Sequence, residues 1–403
     1  MNARRALGVV AALLALAPAP AGAWAAERPP AVPDAQAAIV IDARDGDVML
    51  AKQADQRRQI ASTTKLMTAL LTLENARPKQ VFTAADYVAA PIESQIGLRP
   101  GERMTVSDLL EALLLESAND AAVTLAEGIS GTREDFVSAM NARAEELGLE
   151  STSYANPIGF DDPLNYSSAR DLARLARELM QRPRFARVVD LPLAELESGA
   201  RPRVIDNRNA LIAAYPFVSG VKTGHTLQAG YVLVGAAEGR AGGKVISVVM
   251  GEPSEPARDA DTLALLRWGL SRFHRVRVIE RRRVMARPAI EYRDEKAELV
   301  PAGSAVVTLR DGEEIRRRVH APQQLEGPIR AGERVGSVSV LVDGVRVRRV
   351  ALVTAAEIPE AGTLRVVFSE MGLLFTVLLA LAVVLGVVLL AFRLRVRLRL
   401  VKQ

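Results

Sequence analysis

The sequence predicts a large exported domain of mixed α/β (α+β) class, followed by a small all-β domain and a C-terminal transmembrane helix. Three observations lead to this prediction. Amphipathic helical patterns alternate with strand-like runs between residues 34 and 273. Short alternating strands separated by Asp-Gly turns fill residues 276–357. An apolar run without a charge then covers residues 371–392.

The composition is that of a globular protein with enough apolar residues for more than one core. The chain has 403 residues, of which 49% are hydrophobic and 25% are charged, and this length allows two or three domains. Aromatic residues make up only 4%, without a basic–aromatic pattern, so no nucleic-acid partner is expected. The sequence has no cysteine, which excludes disulfides and thiolate chemistry. His274 and His320 lack metal-ligand spacing, so neither a metal nor another cofactor is expected.

Residues 1–26 have the pattern of a secretory signal peptide. Arg4 and Arg5 supply the positive start, an apolar run follows, and small residues near position 23 provide a cleavage site. An N-terminal membrane anchor is the alternative, but the apolar run is short and is interrupted by Pro18 and Pro20. We therefore expect a cleaved signal peptide and an extracytoplasmic protein.

Hydrophobic periodicity assigns the elements of the large domain in order. Two short strands, 37–41 and 48–50, flank the turn at Asp45-Gly46 and indicate a hairpin. A helical pattern then begins near Ser62. Further helices are predicted at 106–115, 120–127 with a stop at Gly128, 136–147, 169–181 and 259–273, and further strands at 218–226, 231–236 and 245–250.

Ser62 and Lys65 form a Ser-x-x-Lys motif at the start of the first helical pattern. Positions i and i+3 of a helix lie on one face, about 5–6 Å apart between Cβ atoms, so the hydroxyl and the amine come within reach. The positive end of the helix dipole would stabilise an oxyanion there. The arrangement suits an acylating serine with a lysine as its base. Two fixed residues are also a common chance match, so the motif alone does not decide the function.

Ser117 and Asn119 lie on a short connection between two predicted helices, the first of which is opened by the capping pair Thr105 and Asp108. Polar side chains on such a connection can point into a cleft. Serine and asparagine are also ordinary cap and turn residues, so both interpretations stay open for this motif taken alone.

Lys222, Thr223, Gly224 and His225 follow one another in a strand with small neighbours, where a substrate can approach the backbone closely. Lys222 offers a positive charge, Thr223 a hydroxyl and His225 a backbone N–H group. We expect the His225 side chain to line the pocket without a role in proton transfer.

Residues 276–357 are predicted to form a small β-sandwich, with turns at Asp311-Gly312 and Asp343-Gly344. Two runs of arginine, 281–283 and 316–318, make this domain basic. A solvated surface is the default interpretation of such runs. Contact with an acidic wall polymer, lipid head groups or a protein partner is the alternative. The sequence indicates no specific protein partner.

The run 371–392 would be about 33 Å long as a helix, and it is apolar on every side, so we expect it to cross a membrane rather than lie on it. Residues 393–403 carry Arg393, Arg395 and further basic residues. The positive-inside rule places this tail in the cytoplasm and the preceding domains on the outer side of the cell (inner) membrane.

The three motifs occur in the order Ser-x-x-Lys, Ser-x-Asn and Lys-Thr-Gly, with spacings of about fifty and about one hundred residues. This set resembles the penicillin-recognising serine enzymes. The flanking segments narrow the resemblance to the D-alanyl-D-alanine carboxypeptidases, which are low-molecular-mass penicillin-binding proteins and serine DD-peptidases of the peptidase S11 type. These segments are IASTTKLMTAL at 60–70, SANDAA at 117–122, YSSARDLARL at 166–175 and VKTGHT at 221–226. The resemblance covers nearly the whole mature chain, including the β domain and the C-terminal anchor.

The resemblance implies a penicillin-binding transpeptidase/β-lactamase-like catalytic domain and removal of the terminal D-alanine from peptidoglycan stem pentapeptides. β-Lactams would act as inhibitors by acylating the same serine. In this scheme Ser62 is the nucleophile and Lys65 is its base, kept neutral by burial and by the nearby cation Lys222. The backbone N–H groups of Ser62 and His225 form the oxyanion hole.

The resemblance also implies roles for the remaining motif residues. Ser117 and Lys222 relay a proton to the leaving D-alanine, and Asn119 orients Lys65 and the substrate amide. Thr223 and Arg258 hold the terminal carboxylate, and Arg258 is assigned only by its position after the Lys-Thr-Gly motif. The substrate-binding set is therefore Lys222, Thr223, Gly224, His225 and Arg258.

Three departures from the family pattern are visible. Ser219 stands where many relatives carry Asp, and Ala118 stands where many carry Gly, but neither change removes a reacting group. Many relatives have an amphipathic anchor that lies on the membrane, whereas the run 371–392 is predicted to cross it.

Three alternative functions make different demands on the sequence. A β-lactamase would need a second base for deacylation, and the segment between the second and third motifs has no convincing Glu-x-x-x-Asn loop. A DD-endopeptidase that cuts cross-links would use the same residues and stays open. A non-enzymatic, membrane-tethered wall-binding scaffold would be favoured by loss of Ser62 or Lys65, and both are present.

Overall fold

The structure is a computed structural model that describes residues 28–32, 34–87 and 89–400. The predicted signal peptide, residues 1–26, lies outside the described residues. The chain divides into two compact units, with the boundary between His274 and Arg275.

The first unit alternates helices with mostly antiparallel strands. Its helices are α1 (Lys65–Asn75), α2 (Val106–Glu111), α3 (Asn119–Ser130), α4 (Arg133–Glu146), α5 (Ala169–Met180), α6 (Pro183–Val189), α7 (Leu211–Ala214) and α8 (Glu255–Ser271). Its strands are β1 (Ala37–Asp42), β2 (Val48–Lys52), β3 (Arg58–Gln59), β4 (Val81–Thr83), β5 (Arg103–Thr105), β6 (Tyr166–Ser167), β7 (Leu193–Leu196), β8 (Arg203–Asp206), β9 (Val218–Thr226), β10 (Gly230–Glu238) and β11 (Lys244–Glu252).

A five-stranded antiparallel sheet in the order β2-β1-β11-β10-β9 forms the centre of this unit. Alternate residues of a strand point to opposite faces. Ile39 and Ile41 of β1 join a core with α1 to α5, whereas Ala38 and Val40 join a second core with α8. Because helices cover both faces, β1 is an uninterrupted apolar run rather than an alternating one. The strand β9, which carries the Lys-Thr-Gly motif, lies at one edge of the sheet.

The structure confirms the predicted mixed α/β class and the hairpin formed by β1 and β2. It also confirms the predicted capping pair of α2, because Thr105 Oγ1 accepts a hydrogen bond of 3.2 Å from the Asp108 N–H group. The predicted helix 106–115 changes character, however. It is α-helical only to Glu111 and continues as a π-helical turn, Ala112–Glu116.

The predicted stop at Gly128 is wrong, because α3 continues to Ser130 and ends at Gly131 with φ 84°. Gly128 is a packing residue instead. A Cβ atom at this position would lie 2.5 Å from Cδ2 of Phe82, so the glycine makes room for the Phe82 ring. The first glycine in a helical pattern therefore did not mark its end.

The predicted closing helix 259–273 is observed as α8, which both begins and ends earlier in the chain than predicted. Helix α8 begins at Glu255, because Ser254 Oγ accepts a hydrogen bond of 3.2 Å from the Ala257 N–H group and caps the helix. It ends at Ser271, and Phe273 already begins the next strand.

The second unit contains the β domain. Its strands are β12 (Phe273–Ile279, which starts before the boundary), β13 (Ala289–Ile290), β14 (Leu299–Pro301), β15 (Ala305–Arg310), β16 (Ile315–His320), β17 (Gln324–Leu325), β18 (Arg334–Val342) and β19 (Val345–Thr354). They form a four-stranded sheet, β14-β19-β18-β16, and two strand pairs, β12-β15 and β13-β17. Val338, Val340 and Val342 of β18 point into its core. From the sequence, residues 358–362 are expected to be a linker, but Ile358 is buried and its backbone pairs with Ile329, so the β domain extends to that residue.

The C-terminal helix α9 (Thr363–Leu400) begins before the predicted run 371–392 and has one non-helical residue, Gly372. The sequence pattern identified only the apolar residues that could lie inside a membrane. The helix is longer, because helical backbone hydrogen bonds also form in the charged segments before and after the apolar run. Among the described residues this is one helix long and apolar enough to cross a membrane, over Val377–Leu394, and none of that stretch is buried within the protein.

Candidate active site

Ser62 lies in a 3₁₀ turn, Ala61–Thr64, directly before α1. Its hydroxyl is half-buried and does not cap the helix, although serine is a common capping residue. Ala61 has a positive φ of 47°, an uncommon conformation for a residue with a side chain. The Ser62 hydroxyl therefore lies beside the start of α1 and is not used to cap the helix.

Lys65 begins α1 and is fully buried. Its Nζ atom lies 3.0 Å from Ser62 Oγ, 2.7 Å from Asn119 Oδ1 and 2.6 Å from the Ile158 carbonyl oxygen. The structure thus brings the predicted serine, its predicted base and the predicted asparagine into direct contact.

The pKa of Lys65 is held well below its usual range, chiefly by burial and then by the nearby Lys222. The carboxylates of Glu93 and Asp120 act in the opposite direction and raise the pKa of Lys65. A lowered pKa favours a neutral amine at physiological pH. Such an amine can accept the proton of the Ser62 hydroxyl.

Ser117 follows the π-helical turn and adopts a left-handed conformation with φ 65° and ψ 28°. It is 5% exposed, and its Oγ atom has no hydrogen-bond partner among the described residues. Strained backbone and unpaired buried hydroxyls are both costly, and both concentrate at functional sites. The extra residue of the π turn and the left-handed residue together fix where this hydroxyl lies.

Asn119 begins α3 and has its side-chain amide bonded on both sides. Its Oδ1 atom accepts a hydrogen bond from Lys65, and its Nδ2 atom donates one of 2.8 Å to Glu93 Oε2. Glu93 was not predicted. A carboxylate in a loop without a motif around it left no signal in the sequence.

Lys222 of β9 is 1% exposed, and its Nζ atom donates a hydrogen bond of 3.1 Å to the Thr223 carbonyl oxygen. Burial, followed by the neighbouring Arg208 and Arg258, lowers the pKa of Lys222 to about 7, while Glu116 acts in the opposite direction. At neutral pH this amine can therefore both donate and accept a proton.

Gly224 allows β9 to lie against the turn that carries Ser62. A Cβ atom at Gly224 would lie 3.1 Å from the Ser62 nitrogen and 3.1 Å from the Ile60 carbonyl oxygen. A Cβ atom at Gly159, which has φ 98°, would lie 2.9 Å from the same Ser62 nitrogen. The Ser62 peptide is thus packed between two glycines, and His225, the other predicted oxyanion donor, immediately follows one of them.

The His225 ring stacks on Tyr231, with 4.0 Å between the ring centroids. The guanidinium carbon of Arg258 lies 5.9 Å from the Tyr231 ring centroid. Arg258 is 3% exposed and forms ion pairs of 2.8 Å with Glu255 and with Asp259. Its charge is therefore partly compensated by its own helix, and binding of a substrate carboxylate by Arg258 stays a prediction.

The Ile158 carbonyl, which contacts Lys65, is held by a loop that was not predicted to contribute to the site. Asn156 Oδ1 accepts hydrogen bonds of 2.7 Å from the Gly159 N–H group and 3.1 Å from the Phe160 N–H group. The sequence Asn-Pro-Ile-Gly is a typical turn signal, so the loop was visible, but its contact with Lys65 was not.

The assembled site contains a hydroxyl, a buried amine beside it, a second buried amine and an oriented amide. Such a set can support acyl transfer to Ser62. In the part of the chain that the structure describes, no group of three or more His, Asp or Glu residues could hold a metal ion.

Two family models match the chain. One, described as D-alanyl-D-alanine carboxypeptidase, matches residues 24–254. The other, described as penicillin-binding protein 5, C-terminal domain, matches residues 273–360.

Several relatives and solved structures are similar to this chain over most of its length. D-alanyl-D-alanine carboxypeptidase DacF of Bacillus subtilis (strain 168) is 30% identical over 349 residues, which cover 84% of this chain and 90% of the relative. D-alanyl-D-alanine carboxypeptidase DacA of Escherichia coli (strain K12) is 31% identical over 374 residues, which cover 86% of this chain and 89% of the relative. Penicillin-binding protein 5 from Haemophilus influenzae superposes with a TM-score of 0.59 at 29% identity, over 83% of this chain and 100% of that structure.

Proposed function

The chain belongs to the D-alanyl-D-alanine carboxypeptidase family, and on this basis we propose which of its residues carry out the reaction. The protein is a serine-type D-Ala-D-Ala carboxypeptidase, a penicillin-binding hydrolase that acts on peptidoglycan stem peptides in cell-wall remodelling. β-Lactams bind to it as substrate mimics. The contact of Lys65 with both Ser62 and Asn119 is the observation that carries the residue assignment.

Acylation begins when Ser62 Oγ attacks the carbonyl carbon between the two terminal D-alanines. Lys65 Nζ accepts the hydroxyl proton, which its lowered pKa and its distance of 3.0 Å from Oγ support. The backbone N–H groups of Ser62 and His225 stabilise the oxyanion, an effect typically worth about 3 kcal/mol per donor.

The tetrahedral intermediate then collapses and the bond to the terminal D-alanine breaks. Ser117 and Lys222 relay to the leaving amine the proton that Lys65 accepted, so Lys65 becomes neutral again. The unpaired Ser117 hydroxyl and the lowered pKa of Lys222 support this relay. Water then attacks the acyl-enzyme while Lys65 accepts one of its protons, and Lys65 returns that proton to Ser62 Oγ as the ester bond breaks.

The terminal carboxylate of the substrate is held at β9. Thr223 supplies a hydroxyl, Lys222 supplies positive charge, and Gly224 lets the peptide lie against the strand. Arg258 adds to the positive potential, because it is near enough to Lys222 to lower the pKa of that residue. Binding of a substrate by Lys222 would favour its charged form.

The test is release of D-alanine from a pentapeptide ending in D-Ala-D-Ala, measured with the full-length protein and with Ser62→Ala. The wild type should release D-alanine and become labelled on Ser62 by fluorescent penicillin. Ser62→Ala should lose both, because no other hydroxyl is hydrogen-bonded to Lys65 among the described residues. Labelling that survives in Ser62→Ala would contradict the assignment.

A parallel incubation with a cross-linked muropeptide separates the carboxypeptidase from a DD-endopeptidase, which would use the same residues. Cleavage of the cross-link faster than release of the terminal D-alanine would favour the endopeptidase. Penicillin labelling with neither reaction would favour a wall-binding scaffold.

The membrane arrangement is part of the proposal. The signal peptide (1–26) is removed, the catalytic domain (34–273) and the β domain (276–357) lie outside the cell membrane, residues 371–392 cross it, and residues 393–403 are cytoplasmic. The exposed apolar surface of α9 between Val377 and Leu394 supports this arrangement. The arginines after the apolar run support the direction of crossing.

A further inference from the structure

The loop that follows β4 is fixed to the start of α3, where Asn119 lies. The Asp120 carboxylate accepts a hydrogen bond of 2.9 Å from the Leu98 N–H group. The Asn119 N–H group donates one of 2.8 Å to the Ser94 carbonyl oxygen. These bonds place the side chain of Glu93, the residue before Ser94, beside the Asn119 amide.

The Glu93 carboxylate receives hydrogen bonds from three different groups. Oε2 accepts from Asn119 Nδ2 at 2.8 Å and from the Tyr87 hydroxyl, and Oε1 accepts from the Ala90 N–H group at 2.9 Å. The opposite side of the Asn119 amide, Oδ1, contacts Lys65. A half-turn of this amide would place its oxygen against a carboxylate and its NH₂ group against an amine, and it would lose both bonds.

The charges around Lys65 come from three sides. Lys222 of β9 lowers the pKa of Lys65, whereas Glu93 from the loop and Asp120 from α3 raise it. Partial burial raises the pKa of Glu93, but the hydrogen bonds from Tyr87 and Asn119 outweigh it, so the pKa of Glu93 lies below its usual value. Glu93 is therefore ionised at neutral pH and provides a negative charge near the buried Lys65.

We propose that Glu93 is a positioning residue for the carboxypeptidase reaction. It holds the Asn119 amide with Oδ1 toward Lys65, and its charge partly offsets that of Lys222. Asn119 Nδ2 carries two N–H groups, so one remains available for the substrate when the other is bonded to Glu93. This inference rests on the roles proposed above for Ser62, Lys65 and Asn119.

The experiment compares Glu93→Gln and Glu93→Ala with Gln95→Ala. The last is a matched control, because Gln95 Nε2 bonds to the Ala90 carbonyl oxygen in the same loop at 3.2 Å and has no bond to Asn119. The full-length proteins in detergent are assayed for kcat/KM of D-alanine release and for the second-order rate of penicillin acylation, both between pH 5 and pH 10.

Glu93→Ala should lower both rates by roughly tenfold, because the Asn119 amide is released. Glu93→Gln keeps an acceptor for Asn119 but removes the charge, so at its optimum it should stay within about threefold of the wild type. The acid limb of the pH–rate profile of Glu93→Gln reports protonation of Lys65. It should move to lower pH by roughly half a unit to one unit, because Glu93 no longer raises the pKa of Lys65. Gln95→Ala should match the wild type in rate and in pH profile.

Either of two results would overturn the positioning role. One is a loss in Glu93→Ala no larger than the loss in Gln95→Ala, and the other is an unmoved acid limb in Glu93→Gln. A purely structural role would lower the melting temperature without moving that limb. Ser62→Ala, assayed alongside, separates a failure of the proposed nucleophile from a failure of the proposed positioning role. If it remains active, the proposed nucleophile is wrong, and if it is inactive while both Glu93 variants match the control, only the positioning role fails.

Discussion

Two buried amines dominate the site at the scale of single residues. An isolated buried ammonium group is costly, and burial is the main cause that lowers the pKa of both Lys65 and Lys222. Lys222 lowers the pKa of Lys65 further, whereas Arg208 and Arg258 lower that of Lys222. The two environments differ, however. Lys65 is surrounded by Ser62, Asn119 and a carbonyl oxygen, whereas Lys222 has two arginines near it. The amine beside Ser62 is thereby suited to accept a proton, and the amine on β9, with a pKa of about 7, can donate one.

The close packing at Gly224 leads to a prediction at the same scale. Gly224→Ala would place a methyl group 3.1 Å from the Ser62 nitrogen and from the Ile60 carbonyl oxygen, neither of which can move without shifting the turn. We expect kcat/KM and penicillin acylation to fall by about a hundredfold, because both proposed oxyanion donors, the Ser62 and His225 N–H groups, would be displaced.

Gly303→Ala is the control for Gly224→Ala, since a Cβ atom at Gly303 meets nothing within 4 Å. It should behave as the wild type. If Gly224→Ala retained wild-type acylation, the oxyanion hole would not depend on the contact between β9 and the Ser62 turn.

At the scale of elements, a carboxylate without a hydrogen-bond donor lies where β11 packs against α8. Glu252 is 1% exposed, and neither of its carboxylate oxygens has a hydrogen-bond partner among the described residues. Burial, then Asp261 of α8 and Asp34, raise the pKa of Glu252 to about 7, while Lys52 acts in the opposite direction. The two elements therefore pack best when Glu252 carries a proton.

The stability of the first unit should consequently depend on pH. Between the ordinary pKa of glutamate and about 7, Glu252 binds more protons in the folded state than in the unfolded state, so its contribution to stability falls as pH rises through this window. The lowered pKa values of Lys65 and Lys222 act in the opposite direction, so the Glu252 contribution is read from a variant. Glu252→Gln removes this dependence. At pH 8 the variant should be about 1–3 kcal/mol more stable than the wild type, and the difference should vanish toward pH 4.

Thermal loss of penicillin labelling, measured in detergent at several pH values, reports the stability of the first unit alone. The exposed Glu150→Gln is the control and should leave the pH dependence unchanged. A stability difference between Glu252→Gln and the wild type that is the same at pH 5 and at pH 8 would contradict a raised pKa at Glu252.

At the scale of the whole molecule, the two units and α9 have different requirements. The first unit buries its apolar residues in two cores and the β domain in a third, whereas the apolar side chains of α9 between Val377 and Leu394 are covered by no other part of the described chain. A surface of this kind is typical of a membrane anchor. The site residues all belong to the first unit, so catalysis should not require the helix.

Deletion of residues 371–403 should therefore convert a membrane protein into a soluble one. We expect the shortened protein in the soluble fraction after cell lysis, with D-alanine release and penicillin labelling within about twofold of the full-length protein in detergent. The full-length chain should sediment with the membranes. A shortened protein that still sediments with membranes, yet is labelled by penicillin, would show that another surface provides the attachment.

The sequence by itself determined the class of the fold, the strands of the central sheet and the three motifs. These features depend on local periodicity and on residue type, which can be recognised without coordinates. Ser62 and Lys65 are only three positions apart, so helical geometry alone brings them together. The same local rules failed where a distant side chain intervened, as at Gly128, where the Phe82 ring packs against the helix.

Only the tertiary structure decided how the motifs meet. The left-handed Ser117, the Ile158 carbonyl on Lys65 and the Glu93 carboxylate on Asn119 arise from contacts between segments far apart in the chain. The lowered pKa values of the two lysines have the same origin, because burial and neighbouring charges exist only after folding. Sequence patterns name the reacting groups, but their proton affinities and orientations are properties of the packed site.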